Sequence, residues 1–425
     1  MIEKVECKND TCNAEILVLT AANNEGYCIP CVQRMQNEAR LAYIKKHRKT
    51  VDPYAGVSDP VELIKIYHEE RPYNPLVEYL PLCSPIEAVY RDLSEFDVSS
   101  LIKHAIQQAE SGHVDSIEAI GTALVAFRNS NVVLLHHYML KHKIYYPSII
   151  FKNAASDVVN TLLNEVHRDS ENRNRILLAL AWASNSDVVM EFGEWSRQAP
   201  KWSGELYIPP YQYSQEAGWD LDSLDKKRNL FFDKCYSLMA AKADSKPSTC
   251  NTCTPSNNEC QWCGRELTNL LEIDLTDSKF DFLGIQGECL KITTCDACAS
   301  YSEGLFMEYD TQGNSLWSRF NTKPEYLPED LSEWEKLPVM PLVMSANTRS
   351  AHHAANWLVS TTCSQIGGMP TWIQDFSYLT CPCCESTMMF VAQLSNDEIH
   401  EYGEGTYYMH ICRDCQISAV NYQQT

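Results

Sequence analysis

The sequence predicts an α+β multidomain protein with three main parts. These are a small N-terminal ribbon, a helical-repeat-like α middle, and a β-rich C-terminal domain. Three observations support this prediction: cysteines pair near both ends, apolar residues recur at helical spacing in the middle, and aromatic and β-branched residues alternate in the last part. At about 150 residues per domain, a chain of 425 residues suggests two to four domains.

The N-terminal part, residues 1–50, combines a cysteine cluster with a basic helical run. The cysteines are Cys7, Cys12, Cys28 and Cys31, and the run covers Val32–Lys49. Two cysteine pairs can surround one ion with four thiolates, the ligand set of structural zinc, so we expect a zinc-ribbon-like module. Such a ribbon could bind nucleic acid, but the net charge favours a small scaffold module with a solvated helix.

Residues 51–92 are rich in proline, which breaks helices and predicts a linker or an extended wrap. Residues 93–242 change character, with apolar residues at helical spacing and turn signals between them. They predict an α-helical, repeat-like domain, although no strict sequence period is visible. Residues 243–258 are polar and predict a second linker.

The C-terminal part, residues 259–425, carries two sets of paired CxxC hooks. The first set is Cys260, Cys263, Cys295 and Cys298, and the second is Cys381, Cys384, Cys412 and Cys415. In each set we expect an apolar strand after the first hook, over 282–286 and 390–394, and a strand that the second hook closes. This is typical of an internal repeat of a zinc-hook β unit. With the N-terminal cluster, the sequence predicts up to three structural zinc ions.

The other cysteines are less informative. Cys383 could replace Cys384, although CxxC spacing favours Cys384. Cys250 and Cys253 form a lone hook, which is either incidental, as we favour, or completes a site in a partner or an oligomer. The remaining isolated cysteines predict ordinary thiols. They are Cys83, Cys235, Cys289 and Cys363.

No motif for catalysis is found, including GxSxG, a P-loop, GxGxxG or HExxH, so we expect no catalytic residues. Adjacent pairs such as His352–His353 rarely bind one ion, because neighbouring residues on a helix do not share a face. An enzyme stays an alternative, since active sites assemble from residues distant in sequence. His352, His353 and Asp375 are the residues to substitute in testing it.

The charge of the chain limits its partners. The formal net charge is −21, and residues 243–425 hold 24 acidic against 9 basic residues. A polyanion binds nucleic acid and anionic membranes poorly, and it favours a basic partner. No stretch approaches the roughly 20 apolar residues of a membrane helix, and no signal peptide is apparent. We therefore expect a cytoplasmic protein, with no nucleic-acid or membrane partner.

Two acidic segments surround aromatic residues and are candidates for the rim of a protein interface, or for plain solvated loops. The candidate partner-binding residues are Glu325, Tyr326, Glu329, Asp330, Glu333, Trp334, Glu398, Glu401, Tyr402 and Glu404.

A family resemblance rests on motifs in the C-terminal part. They include the segment 364–375, Cys381-Pro382-x-Cys384, Met388-Met389-Phe390-x-x-Gln393 and Gly403-Glu404-Gly405-x-Tyr407-Tyr408. Together they resemble the bacterial YwqG-like family, and the GG-x-P-x-W pattern with cysteine hooks is similar to the C-terminal domain of the eukaryotic programmed-cell-death-protein-two family. The resemblance covers residues 259–425 and implies a two-lobed β-rich unit without established catalytic residues.

The resemblance also implies a biological context. Large multidomain relatives are found as immunity proteins beside bacterial polymorphic toxins, including Rhs-type effectors. We therefore expect an antitoxin that binds a cognate toxin and covers its active site, which is a basic cleft where the toxin acts on anionic substrates. The alternatives are a chaperone or adaptor that shields a basic client, and an uncharacterised hydrolase.

Overall fold

A computed structural model describes residues 3–240, 249–331, 342–355, 363–400 and 403–424. The chain divides into two compact units, Met1–Val89 and Tyr90–Thr425. Its architecture is α+β, as the sequence predicts, with an eight-stranded antiparallel sheet in the second unit. Among the described residues, none of the helices combines the length and the apolar character that crossing a membrane requires.

The first unit holds two small pairs of strands and four helices. Its elements are β1 (Lys4–Glu6), β2 (Glu15–Leu17), α1 (Val18–Asn23), α2 (Ile29–His47), β3 (Lys49–Val51), α3 (Pro60–His68), β4 (Val77–Tyr79) and α4 (Ile86–Arg91), the last of which runs two residues into the second unit. Strands β1 and β2 pair antiparallel, and β3 and β4 pair parallel. In α2 only Cys31 is buried, so this basic helix is solvated.

Residues 51–92 are not the continuous linker that their prolines suggest. They contain α3, β4 and α4. Pro60 opens α3, where its missing N–H costs no hydrogen bond, and the side chain of Asp59 accepts a hydrogen bond from the N–H of Val61. Proline therefore marks the start of a helix in this segment, although the prediction treated it as a residue that breaks helices.

The second unit begins with six helices, as the apolar spacing predicts. They are α5 (Glu95–Glu110), α6 (Asp115–Arg128), α7 (Val133–Lys141), α8 (Ser156–Arg168), α9 (Arg173–Ala183) and α10 (Ser186–Arg197). Ser94 and Asp97 form a capping box at the start of α5. Eight of the eleven residues of α9 are buried, so this helix lies inside the unit rather than on its surface. Short 3-10 helices follow, over Lys201–Glu205 and Pro210–Ala217.

Thirteen further strands and two short helices form the rest of the described structure. They are β5 (Trp219–Leu221), β6 (Lys227–Asn229), β7 (Phe232–Ala240), β8 (Cys250–Glu259), β9 (Glu266–Asp274), β10 (Cys289–Thr294), α11 (Asp296–Ala299), β11 (Leu305–Tyr309), β12 (Ser315–Trp317), β13 (Leu342–Met344), β14 (Gln365–Gly368), β15 (Met389–Ser395), α12 (Asn396–Ile399), β16 (Thr406–Cys412) and β17 (Ile417–Gln423).

These strands form a hairpin and two larger sheets. Strands β5 and β6 make the hairpin, and β10-β9-β8 make a three-stranded sheet. The eight-stranded sheet has the order β12-β11-β17-β16-β15-β14-β7-β13. A shared core of buried side chains, among them Leu238, Leu271, Ile292, Ile366 and Val420, includes residues of both larger sheets.

The structure corrects several predicted boundaries. Residues 219–240 are strands rather than helices, and β7 lies inside the eight-stranded sheet. The predicted linker 243–258 contains most of β8, whose polar side chains are accommodated by pairing with β9. Residues 278–283 form a 3-10 helix, so the strand after the first hook is β9 and not 282–286.

Candidate metal centres and an acidic groove

The structure brings each predicted set of four cysteines together. Within each set, the sulfur atoms all lie within 4.8 Å of one another. The three groups are Cys7, Cys12, Cys28 and Cys31; Cys260, Cys263, Cys295 and Cys298; and Cys381, Cys384, Cys412 and Cys415. Each group joins segments that are distant in sequence, so a bound ion would cross-link two turns.

The sulfur separations fit one four-coordinate ion. The shortest Sγ–Sγ distances are 3.7 Å for Cys12–Cys28, 3.8 Å for Cys260–Cys298, 3.6 Å for Cys263–Cys295 and 3.7 Å for Cys384–Cys412. Four sulfurs placed tetrahedrally at about 2.3 Å from one metal are about 3.8 Å apart. A disulfide would instead require about 2.05 Å. The geometry therefore suits up to three structural metal ions.

The two C-terminal clusters use the same turn for their first hook. The N–H of Cys260 donates to the carbonyl of Arg265 at 2.7 Å, and the N–H of Gly264 donates to the carbonyl of Cys260 at 2.8 Å. Cys381 and Glu385 repeat both bonds, each at 2.9 Å. The order of elements along the chain is also the same in both clusters. The turn of the first hook is followed by two antiparallel strands, and the second pair of cysteines comes at the end of the second strand.

The residue after each of these hooks adopts a left-handed backbone conformation. Gly264 has φ +74°, and Glu385 has φ +62°. We expect Glu385→Gly to stabilise the folded chain by about 1 kcal/mol, because a side chain is strained in this conformation and glycine is not. Denaturant unfolding measures the change, and an unchanged or lower midpoint at equal slope would contradict it.

The pKa values of the clustered cysteines favour binding of a cation. Backbone N–H groups of Asn9 and Cys28 lower the pKa of Cys7 to about 7, and that of Ser386 does the same for Cys384. Burial, together with the neighbouring thiols, raises the pKa of Cys412 to about 11. The first thiolate of a cluster thus forms easily, while further ionisation is opposed, and a bound cation would offset that cost.

Cysteines outside the three groups have other surroundings. Cys383 is exposed, and its thiol contacts that of Cys415, but Cys384 is the one that joins the group of four sulfurs, in agreement with the CxxC spacing. Cys250 and Cys253 are buried in β8, and burial raises the pKa of both thiols to about 12. Both side chains belong to the hydrophobic core that the two larger sheets share. This agrees with the interpretation of the lone CxxC pair as incidental.

Of the histidines considered for catalysis, His353 is buried and His352 is half-buried. His352 lies against the rings of Trp182 and Phe231, and His353 against that of Phe127. Burial lowers the pKa of each histidine to about 3, so both are neutral near pH 7. Neutral imidazoles packed between aromatic rings are typical of structural roles.

The candidate partner-binding residues fall into three groups. Glu325, Tyr326, Glu329 and Asp330 are exposed on one loop, and Glu404 is exposed on another. The carboxylate of Glu398 instead accepts hydrogen bonds from the N–H groups of Cys363 and Ser364, at 2.6 and 3.0 Å, so it has a structural role. Glu333, Trp334, Glu401 and Tyr402 lie outside the described residues.

Tyr326 lines an open groove with a volume of about 780 Å³. Further aromatic rings in its lining belong to Phe306, Phe320, Tyr378 and Tyr422. The hydroxyl of Tyr422 donates to the carbonyl of Glu404, so the loop of Glu404 borders the same groove. The sequence predicted Tyr326 and Glu404 from carboxylates near aromatic residues. The other groove residues come from separate strands and loops and share no local motif.

Comparisons with known proteins identify one family. No family model matches the chain, and no solved structure matches it. The chain is 36% identical over 429 aligned residues to a Salmonella typhimurium (strain LT2) protein described as uncharacterized protein YpfL, and the match covers 100% of both chains. This chain therefore belongs to the same family as the Salmonella protein YpfL.

Proposed function

We propose that this chain is an immunity protein that neutralises a cognate Rhs-type polymorphic toxin by binding it and covering its active site. The observation that carries the proposal is an aromatic-lined groove of about 780 Å³ next to an acidic loop: Tyr326 lines the groove, and Glu325, Glu329 and Asp330 are exposed in the same loop as Tyr326.

The shape and chemistry of the groove suit a protein ligand. The side chain of Tyr326 is 68% exposed, so a large amphipathic ring is available for contact. Tyrosine is enriched among the residues that contribute most to protein–protein binding. The rings of Phe306, Phe320 and Tyr422 offer apolar surface deeper in the groove, and Glu303 adds an exposed carboxylate.

The charge of the chain supports a basic partner. Residues 243–425 carry 24 acidic and 9 basic residues, and all residues that line the groove belong to this part of the chain. Acidic groups attract a basic toxin at long range and speed its association. A toxin that acts on anionic substrates has a basic cleft, so a surface that binds this cleft also blocks the substrate.

The metal in the three clusters is proposed to be zinc. All four ligands of each cluster are cysteines, the set that structural zinc sites use, and no coordination position is left for a substrate. The ion would hold the turns at the ends of β9, β10, β15 and β16 in place. Zinc would then stiffen the domain that presents the groove.

Co-expression tests the proposal. The reading frame beside the gene of this chain is expressed in a bacterial host with and without the chain. We expect toxicity that the wild-type chain relieves. We expect Tyr326→Ala and Glu329→Lys each to weaken binding of the purified toxin at least tenfold, since the first removes a ring from the groove and the second reverses a charge in the loop beside it.

Matched controls separate the groove from general effects. Tyr207 is 100% exposed and does not line the groove, so Tyr207→Ala should bind as the wild type does. Exposed Glu171 provides the control for charge reversal, as Glu171→Lys. A harmless neighbouring gene product would overturn the immunity proposal in favour of the chaperone or adaptor alternative.

A further inference from the structure

A second, smaller cavity in the Tyr90–Thr425 unit has features that the proposed function does not use. Its volume is about 90 Å³. Tyr146, Trp182 and Glu216 line it from the helical part of the unit, and Met369 and Trp372 line it from the segment that follows β14. An acidic side chain thus shares a small cavity with three aromatic rings.

The carboxyl group of Glu216 has no hydrogen-bond or ion-pair partner among the residues that the structure describes. Burial, with a contribution from the negative charge of Asp375, raises its pKa to about 7. The side chain of Glu216 is half-buried. A carboxylate that is partly shielded from water and has no partner favours a cation that would compensate its charge.

The aromatic walls are held in place by the surrounding core. Trp372 is 8% exposed, and its ring centroid lies 4.5 Å from that of Tyr408. Trp182 is 4% exposed and packs beside His352. Burial, together with the charges of Glu118 and Glu216, raises the pKa of Tyr146, which places this phenol near the carboxyl group. Fixed rings provide a preformed site for a cation.

The size and chemistry of the cavity select the class of ligand. A volume of about 90 Å³ corresponds to roughly three water molecules, so only a compact group enters. Calcium and magnesium sites in proteins usually combine several carboxylates with other oxygen ligands, whereas Glu216 is the one charged side chain among the described residues of the lining, beside the neutral polar groups of Ser148, Thr371 and Gln374 and the three aromatic rings. Aromatic faces with a nearby carboxylate are suited to alkylated ammonium groups, which are weakly hydrated.

We propose that this cavity binds a small organic cation, namely a free methylated ammonium compound. The carboxylate of Glu216 neutralises its charge, and the rings of Tyr146, Trp182 and Trp372 contact its methyl groups. This binding goes beyond the proposed immunity function and does not depend on it.

Saturation-transfer NMR on the full-length chain tests the proposal, with tetramethylammonium as the probe and tert-butanol as a neutral probe of similar shape. We expect saturable binding of tetramethylammonium and at least tenfold weaker binding of tert-butanol. Equal binding of the two probes, or no saturable binding of tetramethylammonium, would overturn the proposal, because the charge would then have no part in recognition.

Variants locate the binding site. Glu216→Gln keeps the shape of the side chain and should weaken tetramethylammonium binding at least tenfold, whereas Glu171→Gln at an exposed position should stay within twofold of the wild type. Trp182→Phe should weaken binding severalfold, because the indole ring is the better cation ligand. Unchanged affinity in Glu216→Gln overturns the proposal, and if that variant does not fold, unchanged affinity in Trp182→Phe does so.

Discussion

Replacing Cys295 by serine is expected to reduce the metal content from three ions per chain to two and to unfold the three-stranded sheet. Cys295 directly follows β10, and its cluster joins the turn before β9 to α11. Binding of structural zinc supplies about 10–16 kcal/mol in small domains, which is comparable with the whole stability of a folded protein of about 5–15 kcal/mol. Elemental analysis gives the metal content, and limited proteolysis locates the unfolded region.

Two serine variants serve as controls for this result. Cys83 is exposed and isolated, and Cys383 is exposed and lies outside its neighbouring cluster. Cys83→Ser and Cys383→Ser should both retain three ions and resist proteolysis as the wild type does. Loss of an ion in Cys383→Ser would show that the hook uses Cys383 in place of Cys384. Three ions retained in Cys295→Ser would contradict the four-cysteine site.

The second large effect is expected at the paired glycines of β14. Gly367 has φ +68°, and a Cβ atom there would lie 2.0 Å from the carbonyl oxygen of Lys234 in the neighbouring strand β7. Gly367→Ala therefore adds a backbone strain of about 1–2 kcal/mol and a collision with a hydrogen-bonded strand. We expect a loss of at least about 3 kcal/mol in the free energy of unfolding, measured with denaturant.

Gly264, which is exposed in a turn, provides the control for backbone strain. Its φ of +74° is similar, but no atom lies within 4 Å of an added Cβ. Gly264→Ala should therefore cost about 1 kcal/mol, the backbone strain alone. Equal losses in the two variants would show that the contact with Lys234 adds nothing. The comparison also gives a physical reason for the GG pattern, on which the family resemblance rests in part.

The cysteine clusters were the most predictable part of this protein. Four thiolates around one ion impose short, regular spacings such as those of Cys260 and Cys263, so the ligands are visible in the sequence itself. The helices α5 to α10 were predictable for a similar reason, since burial of one face leaves a local periodicity. Both signals depend on residues that are close in sequence.

The wrong predictions of secondary structure concern strands that form by pairing with segments distant in sequence. Strand β8 is rich in Asn, Thr and Ser and resembles a linker, yet it pairs with β9 along most of its length. Strand β7 follows helical sequence but lies between β14 and β13. Strand formation depends on neighbouring strands more than on the intrinsic preference of the residues. The local composition therefore revealed neither β7 nor β8 as a strand.

The two candidate functional surfaces also combine residues that a local sequence pattern reveals with residues that only the fold brings together. The carboxylates around Tyr326 were visible as a cluster in the sequence, whereas Phe306 and Tyr422 reach the groove only because β11 and β17 are neighbours in the sheet. Glu216 attracted no attention in the sequence. Its environment is created by side chains distant in sequence, among them Tyr146 before α9, Trp182 within α9 and Trp372 after β14.

The three cysteine clusters also change the electrical character of the chain. Four thiolates and one divalent ion carry two negative charges in total, so each filled cluster makes the molecule more anionic than its formal charge of −21 indicates. Two of the clusters lie in the part of the chain that is already the most acidic. An ion bound in these clusters would therefore also strengthen the negative field of this part of the chain. If the proposed basic partner exists, we expect it to associate faster with the metal-filled chain than with the metal-free chain.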